Sequence, residues 1–245
     1  MSRGLIRGLL AALFAASVFA QPRAAPPSTA STSSPILQRF LAAPDPDPTD
    51  FRALRRLEAR NEHFNSSAWM DVWTEADRAG GFRYRIVAEG GSPYIRSRVF
   101  MPTLETECRM WSSAVPERSA LTPDNYVIED RGEERNGLAW LTVRPRRKDV
   151  LLIEGSIFVR PEDGDLVRLE GRLAKSPSFW TRRIEIVRSY QRVAGIRMPV
   201  ALESVATLLI AGRSTFRMSY EYETVNGQRV GNPQPQPAPA DVVSK

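Results

Sequence analysis

The stretch Ser214–Thr224 carries Phe216, Met218, Tyr220 and Tyr222 at every second position, with Arg217, Ser219, Glu221 and Glu223 between them. A period of two puts alternate side chains on opposite faces of a strand, so the pattern predicts a β-strand with one buried and one wet face. The same grammar fills most of the chain. "YVIED" and "LAWLTVR" flank a turn ending in Asn136-Gly137, a strong short-range hairpin signal. "DVLLIEGSIFVR" and "LVRLEGRLA" flank the turn "PEDGD". In the latter strand Val167, Leu169, Gly171 and Leu173 face one way, and Arg168, Glu170 and Arg172 the other. Further strands are expected at about Arg183–Gln191 and Pro199–Ala211, and "SAWMDVWTE" and "GFRYRIVAE" form an earlier hairpin turning at Arg78–Gly81.

Helical signals are few. Ser34-Pro35 has the form of an N-cap followed by a first-turn proline, and Ile36, Leu37, Phe40 and Leu41 then share a face until "PDPDP" stops them. A second helix is expected from about Thr49 to Arg60, with Phe51, Leu54 and Leu57 on one stripe and arginines elsewhere. Ser92-Pro93 repeats the cap and opens a third, with Ile95 and Val99 on one face; Pro102 should kink or split it before Leu104–Trp111. The fold class is therefore α+β: a curled antiparallel β-sheet, a half-barrel, with about three helices covering the concave side. A long sheet with one apolar face must curl or be covered, and three short helices are scant cover. That mismatch leaves room for an apolar cavity.

The N-terminus places Arg3 and Arg7 before "LLAALFAASVFA", with Val18 and Ala20 at the small-residue positions of a cleavage site. Residues 1–20 read as a signal peptide, because the apolar run is well short of the ~20 residues that span a bilayer. Cleavage before Gln21 removes two arginines and lowers the net charge from +6 to +4. Residue 21 is not cysteine, so no lipid anchor is indicated, and the expected location is the periplasm, as an exported, soluble protein. Residues 21–33 form a flexible leader, 34–227 one domain, and 228–245, with "NPQPQPAPAD", a disordered Pro-rich tail. No transmembrane segment is expected after signal cleavage.

Charge and reactive residues narrow the function. Lysines are Lys148, Lys175 and Lys245 alone, so 31 of 34 basic residues are arginine. The longest basic run is "RPRRK", suited to a hairpin turn, and nucleic-acid binding is not expected. One histidine, His63 in the polar connection "NEHFNSS", precludes two-histidine metal sites within a chain and reads as a solvated loop residue. Cys108, between Leu104 and Trp111, reads as a buried, inert thiol. Gly212-Arg213-Ser214-Thr215-Phe216 lacks the second glycine of a nucleophile elbow, and Asp163-Gly164-Asp165 lacks calcium-loop spacing. No catalytic residue, metal site or cofactor is assigned, and the chain is not expected to be an enzyme. What remains is aromatic surface. Trp69 and Trp73 share a strand face with Asp71 between them; with Phe216, Met218, Tyr220 and Tyr222 they either pack a core or line a ligand pocket.

Four segments, "VAEGGSPYIRSRVF", "LLIEGSIFVRPEDGDLVRLEGRLAKSPSFW", "GIRMPVALESVA" and "FRMSYEYETVNG", resemble a bacterial branch of the LolA/LolB-like, outer-membrane lipoprotein-sorting-like superfamily. The resemblance runs from about Ser34 to Gly227 and lies in strand order and turn motifs. It implies a sheet and helices enclosing an apolar cavity for acyl chains. The function it implies is a non-catalytic periplasmic carrier of lipid or lipoprotein, in transport or outer-membrane biogenesis. The alternative is an envelope sensor or scaffold that binds a protein partner through the same fold. In either case Gly171 helps a strand bend, Phe179-Trp180 folds over one end of the sheet, and Arg168, Glu170 and Arg172 form the wet outer wall.

Overall fold

The computed structural model describes residues 34–43, 46–111, 118–177 and 181–237. The signal-peptide and leader assignments and the Phe179-Trp180 corner fall outside them. Eleven strands form one antiparallel sheet: β1 (Asp50–Asn61), β2 (Ser66–Asp77), β3 (Gly81–Gly91), β4 (Tyr126–Arg135), β5 (Leu138–Pro145), β6 (Ile153–Val159), β7 (Leu166–Leu173), β8 (Thr181–Val193), β9 (Ile196–Leu208), β10 (Gly212–Val225) and the short β11 (Gln228–Arg229). The order is β3-β2-β1-β10-β9-β8-β7-β6-β5-β4, with β11 beside β10. Every pair in this order joins strands consecutive in sequence except one seam, where the first strand pairs with the tenth; the consecutive β3 and β4 lie at opposite edges. The sheet is not closed: β3 and β4 are its edges, and exposed charges such as Arg83 and Arg85 on β3 and Glu133 and Glu134 on β4 discourage pairing with another chain.

Turn chemistry sets the register. Asn136 and Gly137 both adopt positive φ, 54° and 74°, as a two-residue hairpin turn requires. Ala194 and Gly195 do the same between β8 and β9, with φ of 50° and 78°, so these strands run to a tight turn instead of the longer connection expected. Gly155 and Gly171 face each other across β6 and β7; a Cβ on Gly155 would lie 2.5 Å from the Gly171 Cα. Close backbone approach, then, is what these two glycines permit.

Two helices pack on one face of the sheet. In α1 (Pro35–Ala42) the Ser34 hydroxyl accepts a hydrogen bond from the Leu37 N–H at 3.1 Å, as its cap grammar predicts. Phe40 is buried in the core, whereas Leu41 is exposed. The helix sits on the β6–β7 turn, where a Cβ on Gly164 would fall 2.5 Å from the Arg39 backbone. That turn is pinned by Asp165, a buried carboxylate that accepts hydrogen bonds from Arg160, Arg192 and Arg197, each at 2.9 Å.

The second helix, α2, is continuous over 19 residues: Pro93–Ile95, a π-helical stretch Arg96–Phe100, and Met101–Trp111. Ser92 caps it through the Ile95 N–H. Of the kink or split expected, no split occurs at Pro102. The wider π turn lies just before it, where a proline ring and its missing N–H disturb the ordinary i→i−4 ladder.

The helix expected over Thr49–Arg60 is instead β1, the largest correction to the reading. The helices that remain are α1 and α2, with residues 118–119 also helical among the described residues. Phe51, Leu54 and Leu57 fit a helical stripe by spacing, but β1 lies between β2 and β10 and is paired along its length on both sides. Two ladders of backbone hydrogen bonds and burial on both faces override the local pattern. The tail assigned from residue 228 begins with β11, and its described part, to residue 237, lies against Glu221 and Arg56 on the face opposite the helices.

Candidate functional site

The helix-covered, inner face is built from three strands in register. Tyr222, Tyr220, Met218 and Phe216 of β10 stand opposite Ala53, Arg55, Leu57 and Ala59 of β1. Those four in turn face Thr74, Val72, Met70 and Ala68 of β2. The predicted β10 stripe is therefore real: all four of its side chains are buried, and their polar neighbours Arg217, Ser219 and Glu221 are exposed.

One residue breaks this apolar row. Arg55 is 4% exposed, and its Nη1 meets Glu107 Oε2 of α2 at 2.5 Å. Its guanidinium carbon lies 4.6 Å from the Tyr220 ring centre, 5.2 Å from that of Phe82 and 5.9 Å from that of Phe51, so the charge rests in a cage of aromatic faces. Burial opposes the charged form, but the Glu107 carboxylate and the neighbouring tyrosines outweigh it and hold Arg55 above its ordinary pKa. Arg55 Nε and Glu107 Oε1 find no hydrogen-bond partner among the described residues. The pair is thus a single charge-assisted contact joining helix to sheet, with Arg55 Nε and Glu107 Oε1 left unsatisfied.

Aromatic contacts complete the interface. Phe100 of α2 meets Phe216 edge-on at 6.0 Å, and Trp111 meets Phe51 at 5.7 Å. Tyr220 and Tyr222 stack at 6.3 Å, and the Tyr222 hydroxyl donates to the Pro199 carbonyl at 2.7 Å; burial pushes its pKa well above the usual value. Phe100 and Leu104 are wholly buried in the cluster that holds Met218 and Tyr220. Side chains of α2 thus pack against the inner face of β1 and β10.

Trp69 and Trp73 do not join this group. They share a strand face, as expected, but it is the outer one, with Leu54, Arg56 and Glu58. Each lies under an arginine: Arg56 is 4.9 Å from the Trp69 ring and Arg52 4.4 Å from the Trp73 ring. Asp71, between them, is buried to 1% exposure.

The remaining candidates are quiet. His63 is exposed in the β1–β2 turn beside Phe64. Cys108 is half-buried and donates to the Phe82 carbonyl at 3.5 Å; burial raises its thiol pKa, which disfavours the reactive thiolate. Arg55 and Glu107 were not singled out by sequence. The signal was present all the same: read at period two, Phe51, Ala53, Arg55, Leu57 and Ala59 form an apolar row with one charge in its centre.

No family model matches the chain, and no match is found among curated proteins. Among solved structures it is similar to an outer membrane lipoprotein-sorting protein domain from Vibrio parahaemolyticus, at 13% identity and a TM-score of 0.40, over 77% of this chain and 91% of that one. It is similar to a LolA superfamily protein from Nitrosomonas europaea at 11% identity and a TM-score of 0.38, over 78% and 92%. A DUF1329 family protein from Desulfovibrio piger is a third neighbour, at 11% identity and a TM-score of 0.35, over 71% and 84%. The first two bear the name of the group that the sequence motifs resemble.

Proposed function

We propose that the chain is a non-catalytic periplasmic carrier, exported by residues 1–20, that takes up acyl chains of lipid or lipoprotein against the inner face of a half-barrel. The observation that carries this reading is the docking of α2 on an apolar face through one incompletely satisfied ion pair, Arg55–Glu107. An acyl chain entering here displaces Phe100 and Leu104 and lines up with Phe216, Met218, Tyr220 and Tyr222. At ~0.8 kcal/mol per buried CH₂, a sixteen-carbon chain offers on the order of 10 kcal/mol before ordering costs. Against this stand the lost burial of Phe100 and Leu104, about 1.5–3 kcal/mol each, and the opening of the Arg55–Glu107 pair.

The test is native mass spectrometry of residues 21–245, purified from a periplasm without detergent. Added mass that resolves on organic extraction to phospholipid or another acyl lipid supports the carrier. A clean apo mass that persists after incubation with phospholipid vesicles overturns it. One observation favours a second reading, an envelope sensor that binds a protein: the inner face is already filled by α2. That reading expects the clean apo mass together with a defined protein partner in pull-downs.

A further inference from the structure

The outer face carries a second arrangement that acyl-chain uptake does not use. Arg56 on β1 and Asp71 on β2 are cross-strand partners, 8% and 1% exposed, on the face opposite α2. Their mutual contact is long, 3.3 and 3.4 Å from Arg56 Nη1 to the two carboxylate oxygens. The chain's own C-terminal segment completes both. Arg56 Nη1 donates to the Gln236 carbonyl at 3.2 Å and Nη2 to the Pro237 carbonyl at 3.0 Å. The Gln236 backbone N–H lies beside Asp71 and favours its carboxylate form, and the Gln236 side-chain amide donates to Glu221 on β10 at 3.1 Å. Two adjacent strands thus hold one glutamine by hydrogen bonds, β10 its side chain and β1 its carbonyl, and the β2 carboxylate Asp71 faces its N–H.

The segment suits this recognition. "PQPQP" favours an extended polyproline conformation with no internal hydrogen bonds, so its carbonyls remain available to a guanidinium fork. Proline also lowers the ordering cost of docking, and a single N–H between two prolines can be matched by a single carboxylate. Pro233, buried at the start of the crossing, anchors it. We infer that the outer face of β10, β1 and β2 is a binding site for an extended Gln-Pro peptide, with residues 232–237 as its resident ligand in cis.

The test is a chain ending at Gly231, checked for folding by circular dichroism and titrated with the synthetic peptide NPQPQPAPAD by tryptophan fluorescence and calorimetry. The truncated chain is expected to bind the peptide saturably, and the full chain at least tenfold more weakly because its own tail competes. Replacing the peptide's second glutamine by alanine, or Arg56→Ala in the truncated chain, should weaken binding about tenfold or more, the effect of losing hydrogen bonds to charged groups. A folded truncated chain that ignores the peptide, or binds the alanine peptide equally well, overturns the inference. If truncation prevents folding, Gln236→Ala in the full chain decides. It should raise amide exchange over residues 230–236 with the sheet unchanged and admit the wild-type peptide in trans. Unchanged exchange and no uptake refute the site.

Discussion

Disrupting the Arg55–Glu107 pair gives the sharpest test of how the inner face is held together. Both side chains are almost fully enclosed, at 5% and 7% exposure, so neither charge can be rehydrated without moving α2. Glu107→Ala leaves a guanidinium among Tyr220, Phe82 and Phe51 with no carboxylate, and Arg55→Ala leaves a lone buried acid; each should cost about 3–5 kcal/mol. The double substitution Arg55→Met, Glu107→Leu removes both charges and fills the space, and should fall within about 1 kcal/mol of the parent or exceed it. In urea unfolding followed by tryptophan fluorescence, with m of about 2 kcal/mol/M, each single change lowers the midpoint by about 2 M while the double change leaves it in place. Uptake of an acyl probe should follow the opposite order to helix docking, increased by Glu107→Ala and suppressed in the double variant. A double variant as unstable as the two singles summed would refute the reasoning, since the two charges would then contribute independently.

Three further outcomes follow from other parts of the fold. Asp165→Asn removes the charge shared by Arg160, Arg192 and Arg197 and should cost about 3 kcal/mol or more, a fall of roughly 10 °C in Tm by calorimetry; an unchanged Tm counts against that cluster as an anchor. Ala194→Gly relieves a non-glycine residue held at φ 50° and should stabilise by about 0.5–1 kcal/mol in urea; destabilisation would show that the methyl group's packing outweighs the backbone. Burial raises the pKa of Asp71 above 3.8, against the pull of Arg56. The folded chain therefore keeps this proton where the unfolded chain has lost it, and the residue's contribution to stability falls as pH rises from 3.8 through the folded value. The unfolding free energy of Asp71→Asn minus that of the parent should rise across this window, and a flat difference between pH 3 and 6 would exclude the shift.

The parts legible in sequence are those where one physical signal acted alone. β10 has water on its outer side chains and a core on the inner, so its alternation is unbroken. Asn136-Gly137 announces its turn because asparagine and glycine tolerate positive φ, whereas Ala194 conceals an equivalent turn. β1 was misread because both of its faces are covered, by α2 on one side and by the tail on the other. Leu54 and Arg56 are buried on the outer face as Leu57 and Arg55 are on the inner, which erases the alternation and leaves a spacing that mimics a helix. The stripe of Phe216, Met218, Tyr220 and Tyr222 could be placed on one face from its own strand. Whether Trp69 and Trp73 shared that face depended on cross-strand register, and a shift of one residue reverses it.

The pairing of β1 with β10 also governs the order in which the chain can finish. Asn61 donates to Ser214, 153 positions further along the sequence, so the central joint of the sheet waits until β10 has been made. Contacts of such long range are slow to form. Under the export proposed above, this arrangement would keep the leading hairpins from locking onto the rest before β10 has passed through. Chains ending before Gly212 should accordingly stay sensitive to protease throughout, and resistance should appear in one step once β10 is included.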